Sequence, residues 1–264
     1  MANPGTLHDW VEDLPARGWY TFSRADALSA TDASPAAVKQ TLYRLKKRKA
    51  IVSPRRDFFV VLPPEYRSLG CPPASWFIDQ LMEHLGRRYY VALLTAGRFH
   101  GAAHQAPMAF QVIADVPERN ITLGGVRINF HVSNLLEGAA TERRNTPTGT
   151  IAIATPETTA FDIVRFPAAA GYWNNVATVL IELVEEVDGD KLLQGAARVA
   201  RTDVQRLGWL LDFIGEHQLA DALAPALAGK RLLPTPLAAY RTTDGAALDP
   251  RWKVLVNTDV DPDL

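Results

Sequence analysis

The chain has 264 residues, of which 47% are hydrophobic and 22% charged, and its 28 Lys and Arg against 29 Asp and Glu give a formal charge of -1. These values exclude a wholly disordered or collagen-like chain, and the length allows one large domain or two smaller ones, each with a real core. The single cysteine, Cys71, excludes an intramolecular disulfide and a cysteine-based zinc site, and no apolar run reaches the roughly 18 residues of a membrane span.

In chain order, Thr6 to Ala16 reads as a helix, with Leu7, Trp10, Val11 and Leu14 at helical spacing. Its stretch from Met1 to Asp13 lacks the basic-then-apolar order of a secretory signal, so the expected location is the cytoplasm. Tyr20-Thr21-Phe22 is short and β-favouring. Ser23 offers an N-cap for a short helix over Ala25 to Ala30, and a turn follows. Ser34-Pro35 opens a third helix to about Arg48, with Ser as N-cap and Pro at the first position, where its missing N–H costs nothing.

In that helix Val38, Leu42 and Leu45 form one apolar stripe. The opposite face carries Ala36, Gln40, Tyr43, Arg44 and Lys47, with Lys39 on the flank. Ala50 to Val52 and Phe58 to Leu62 read as strands joined by a hairpin loop, Ser53 to Asp57, with Arg55 and Arg56 at its tip. Helix, short helix, turn, basic helix and hairpin is the order of a winged helix-turn-helix.

Charge follows the same division. Residues 1–66 hold ten Lys or Arg and seven Asp or Glu, a net of +3, and the remaining eighteen against twenty-two give -4. Between Ala36 and Arg56 stand eight basic residues and no acid. Screening confines what a phosphate feels to charges within about 8–10 Å, so this local window outweighs the average. The pattern predicts that Lys39, Gln40, Tyr43 and Arg44 face a major groove while Lys46, Lys47, Arg55 and Arg56 hold the backbone. The bland alternative is a solvated helix end whose cations complement the macrodipole.

Pro63, Pro64, Pro72 and Pro73 place a linker at 63–73. Beyond it, Pro73 to Leu85 and Arg88 to Phe99 read as helices. Ala109 to Ala114, Asn120 to Leu123, Val126 to Val132 and Thr150 to Ala154 read as short strands. Thr155 caps a helix to Arg165, and helices follow over Trp173 to Glu186, Gly189 to Val199 and Thr202 to Glu216. Arg251 to Asn257 is a last strand. The expected class is α+β: a winged helix-turn-helix over 1–66, then a larger mixed α+β domain over 67–264 with a C-terminal helical bundle.

Catalytic signals are sparse. His100 and His104 stand four apart, but Gly101 follows the first where a zinc protease needs Glu. Glu182, Glu185, Glu186, Asp188 and Asp190 read as a solvated helix end. A magnesium nuclease could use Glu157 and Asp162, yet nothing in the sequence places a lysine beside them. No catalytic residue, metal or cofactor is therefore expected.

Several strings occur in a familiar order: Trp19-Tyr20-Thr21-Phe22-Ser23, His100-Gly101-Ala102-Ala103-His104-Gln105, Thr155-Pro156-Glu157 with Asp162, Val204-Gln205-Arg206-Leu207-Gly208-Trp209, and Asp249-Pro250-Arg251-Trp252-Lys253 running to Asn257. Together, over about 5–257, they resemble the AbiEi family of type IV antitoxins from bacterial abortive-infection toxin–antitoxin systems. Ala96-Gly97-Arg98-Phe99 departs from the family pattern, where an apolar helix end is more typical. The resemblance implies an N-terminal winged helix that binds inverted repeats in its own promoter and represses transcription, with double-stranded DNA as partner. It also implies a C-terminal antitoxin domain countering a nucleotidyltransferase toxin without a stable complex. The rival readings are a DNA-modifying or nuclease-like enzyme with a helix-turn-helix targeting module, and an orphan regulator acting by protein interaction.

Overall fold

The computed structural model describes residues 5–102 and 107–262. His104 therefore lies outside the described residues. The chain begins with α1 (Leu7–Asp13), β1 (Thr21–Ser23), α2 (Arg24–Ser29), α3 (Pro35–Lys47), β2 (Ile51–Arg55) and β3 (Phe58–Val61). Thr6 and Ser23 each accept from the backbone of the Asp three residues on, whose carboxylate returns to the cap, so α1 and α2 both start with a capping box. Ser34 caps α3 by accepting from the Ala37 N–H, with Pro35 in the first turn. The strands form an antiparallel sheet in the order β1-β3-β2, with Phe22 opposite Phe59 and Val52 opposite Val60.

Leu7, Val11, Leu14, Phe22, Ala27, Val38, Leu42, Leu45, Ile51, Phe59 and Val61 make one buried cluster that joins the helices to this sheet. Phe22 stacks on Phe59 and takes the edge of Trp10. Burying each large side chain of this kind contributes about 1.5–3 kcal/mol. The expected α3 stripe of Val38, Leu42 and Leu45 is buried as anticipated.

Then follow α4 (Ile78–Leu85), β4 (Tyr89–Val91), α5 (Leu93–Phe99), β5 (Phe110–Ala114), β6 (Ile121–Leu123), β7 (Val126–Val132), β8 (Thr141–Thr146), β9 (Gly149–Ala154) and α6 (Pro156–Arg165). The rest is α7 (Tyr172–Leu183), α8 (Gly189–Ala196), α9 (Arg201–Phe213), α10 (His217–Leu223), β10 (Thr235–Pro236), β11 (Ala247–Leu248) and β12 (Val254–Val256). The expected α+β class is observed.

Three expectations change. A single helix from Pro73 to Leu85 gives way to a short 3-10 turn, Ala74–Trp76, and α4, because Phe77 leaves helical geometry between them. A helix over Arg88 to Phe99 is replaced by β4 and the shorter α5: Tyr89, Tyr90 and Val91 are aromatic and β-branched and favour a pleated strand. Residues 141–146, to which the sequence assigns no element, form β8 despite a mostly exposed polar sequence.

The chain divides into two compact units, one of Met1–Tyr89, Met108–Val132 and Arg143–Ala152, the other of Tyr90–Pro107, Ser133–Glu142 and Ile153–Leu264. The proline-rich stretch 63–73 lies inside the first. In that unit β5 runs parallel to β7, and β7 returns from β6 through Gly124-Gly125. Gly124 has φ +57, and a Cβ there would come within 2.2 Å of the Leu69 carbonyl oxygen, so only glycine fits the turn. In the second unit α6 is nearly fully buried and packs against α5, α7, α8 and α9.

Candidate functional site

In the first unit the outer face of α3 is exposed. Lys39, Gln40, Tyr43, Arg44, Lys46 and Lys47 all reach solvent, and Tyr43 is 61% exposed. The cap at Ser34 and the buried stripe fix the rotation of the helix, and that rotation sends these side chains outward together. The hairpin is tighter than the loop expected over Ser53 to Asp57, since only Arg56 and Asp57 separate β2 from β3. A bulge between Val52 and Arg55 is closed by Ser53 Oγ, which donates to the carbonyls of Arg55 (2.8 Å) and Phe58 (3.0 Å).

The two hairpin arginines are not equivalent. The Arg56 side chain is 94% exposed. Arg55 is half-buried: its guanidinium donates to the carbonyls of Pro54 and Arg119 and lies 5.8 Å from the centre of the Phe130 ring. The sequence alone could not show this, because Arg119 and Phe130 are far away in the chain. Arg56 is held through its backbone, its carbonyl 3.2 Å from His84 Nε2. Asp57 pairs with Arg24 at 3.7 Å, and its carbonyl accepts from the Arg24 N–H.

In the second unit the Thr-Pro-Glu string acquires an architectural account. Thr155 caps α6 by accepting from the Thr158 N–H, and Pro156 occupies its first turn. Glu157 Oε1 accepts from the Asp188 N–H at 3.0 Å, just before α8, and Asp188 in turn caps α8. Asp162 accepts from the Tyr90 hydroxyl at 3.0 Å and from Arg165 at 3.3 Å. Arg165 continues to Ser133 and Asp203, and Asp203 to Arg206. Burial pushes the Asp162 carboxyl up to about 7 against the pull of Arg165 and Tyr90, and raises Asp203 as well.

Glu157, Asp162 and a lysine, Lys191, do line one cavity, the convergence that a nuclease reading required. Both acids are nevertheless committed, Glu157 to a helix start and Asp162 to Tyr90 and Arg165. No cluster of metal-binding side chains occurs among the described residues. His100 is likewise occupied, its Nε2 2.7 Å from the Ala154 carbonyl.

The C-terminal strings are also explained by packing. A Cβ on Gly208 would sit 2.3–2.5 Å from three atoms of the Trp252 indole. Trp252 Nε1 donates to Asp212 at 2.6 Å, and Gln205 donates to the Trp252 carbonyl at 2.8 Å. Asn257 accepts from the Ala238 N–H and donates back to its carbonyl.

The fold is similar to the crystal structure of the RV2827C protein from Mycobacterium tuberculosis, with a TM-score of 0.67 over 95% of this chain and 91% of that one. At 17% identity this likeness concerns fold alone. No curated protein matches the sequence at a significant level. Residues 90–213, which hold the α6 motif and the Asp162 network, match the family model described as the AbiEi antitoxin C-terminal domain. Over that stretch, which is just under half of the chain, the sequence is similar to the antitoxins of AbiEi toxin–antitoxin systems.

Proposed function

We propose that residues 1–66 form a winged helix-turn-helix which binds repeats in the protein's own promoter and represses transcription, while the remainder acts as the antitoxin part against a nucleotidyltransferase toxin. The observation that carries the DNA reading is the exposed, acid-free face of α3 backed by the β1-β3-β2 sheet. Gln40, Tyr43 and Arg44 are the base-edge candidates, and Lys39, Lys46, Lys47 and Arg56 the phosphate candidates. Arg55 takes a different role in this reading from the phosphate contact expected at first: it fastens the hairpin to the segment before β6 and to β7, and so fixes where Arg56 points.

The test is a mobility-shift titration with a fragment of the gene's own promoter against a shuffled fragment. Specific binding that Arg44→Ala weakens supports the reading, and equal affinity for both fragments counts against it. The toxin side is tested by co-expression with a nucleotidyltransferase toxin of the kind this reading proposes. Rescue of growth without co-purification matches the proposal; a stable complex would favour action by direct binding instead.

A further inference from the structure

We infer that the C-terminal domain holds a binding site for a small organic anion with an apolar body, in the cavity between α6, α8 and the segment 135–140. The cavity measures about 290 Å³ and lies wholly in the second unit. That volume is near the lower end of ordinary small-molecule pockets, about 300 Å³. Its lining is mainly apolar, with Leu135, Ala139, Phe161 and Val199 among the contributors.

The polar part of the lining is unevenly satisfied. The two acids are taken, as described above, by the Asp188 N–H and by Tyr90 with Arg165. Of the three cations in the lining, Arg165 is paired with Asp162 and Asp203, and the other two meet no carboxylate among the described residues. Lys191 and Gln194 stand at i and i+3 on α8, Arg198 follows in the turn just past its end, and all three are exposed residues that line the cavity. Lys191 forms no ion pair among the described residues. Arg198 donates to the Gly138 carbonyl and meets no carboxylate among the described residues.

An apolar chamber edged by two cations without carboxylate partners and by an amide matches a ligand of opposite layout: an apolar body carrying one anionic group. Phosphate and carboxylate share that chemistry, since both accept from an ammonium and from a guanidinium.

The full-length protein is titrated with 8-anilinonaphthalene-1-sulfonate, an apolar body with one anionic group, following its fluorescence. AMP and octanoate then compete as phosphate and carboxylate arms. Saturable binding is expected, weakened at least tenfold in Lys191→Glu/Arg198→Glu and in Ala139→Phe, which fills the chamber. Arg201→Glu/Lys230→Glu makes the same change of charge elsewhere on the unit and should bind like the parent. Displacement by one competitor assigns the head group. Absence of saturable binding overturns the inference, and so does equal binding in the cavity variants, provided circular dichroism shows them folded. DNA binding is read in parallel and is expected to be unaffected, so this site and the α3 interface stand or fall separately.

Discussion

Replacing Gly208 by alanine separates helix propensity from packing. In an isolated helix this change is favourable by about 1 kcal/mol, because glycine is the poorer helix former. In α9 the new Cβ would overlap three Trp252 ring atoms at 2.3–2.5 Å, a separation real Cβ contacts do not show. The indole cannot simply retreat. Its Nε1 is bonded to Asp212, its backbone N–H to Asp249, and its carbonyl accepts from Gln205. Overpacking of this kind costs about 1–3 kcal/mol. Losing a hydrogen bond to a charged acceptor costs about 1.5–3 kcal/mol more if the ring moves. Set against the propensity gain, the expected net destabilisation is about 2 kcal/mol, or roughly 4–8 °C in Tm for a unit of this size. Thermal and urea unfolding followed by tryptophan fluorescence measure it. A Gly208→Ala protein that melts at or above the parent would refute the seating of Trp252 against α9.

Other outcomes follow from the same geometry. Ser34→Ala removes the cap of α3 and should cost about 1 kcal/mol, measurable by denaturation. Arg56→Ala should reduce the log–log salt slope of DNA binding by about 0.9, whereas Arg55→Ala should weaken binding with little change in slope, because Arg55 acts through the hairpin. Asp162 is a carboxyl whose folded value is raised to about 7 from 3.8 by burial. Its contribution to stability is fully present below the lower value and is lost as pH rises to the upper one. Asp162→Asn should therefore flatten the fall in stability between those limits, and an unaltered pH profile would contradict the protonation argument. Cys71 is buried, with its thiol pushed up to about 12, so a thiol reagent should label it at the rate of unfolding rather than at once.

The N-terminal elements were legible because their signals are local. Ser23 with Asp26, Ser34 with Pro35, and the Val38, Leu42, Leu45 stripe each declare a boundary or a face within a few residues. The strand β4 was not, because Tyr89-Tyr90-Val91 sits between helical stretches and reads as a continuation of one. Nor was β8, whose exposed Thr141-Glu142-Arg143-Arg144 has no alternating apolar side to mark it. Arg143 is held instead by Asp79 and Thr150, partners that lie far off in sequence or on the next strand. At the candidate sites the residue types were readable and their commitments were not. Nothing local distinguishes Arg55, fastened to Arg119 and Phe130, from the exposed Arg56 beside it, which pairs with Asp57 at 3.4 Å. The Glu157 and Asp162 spacing suggested acid chemistry only until the Asp188 N–H, Tyr90 and Arg165 were seen to occupy both groups.

Contact between α3 and DNA is tested most directly by one titration: binding of the promoter fragment measured across a series of salt concentrations. With Lys39, Lys46, Lys47 and Arg56 neutralising about four phosphates, the slope of log K against log salt should be near about -3.6. Lys46→Ala/Lys47→Ala should bring it to about -1.8 by the same relation. A slope near zero, or one that this double substitution leaves unchanged, would contradict the assignment of the helix to DNA.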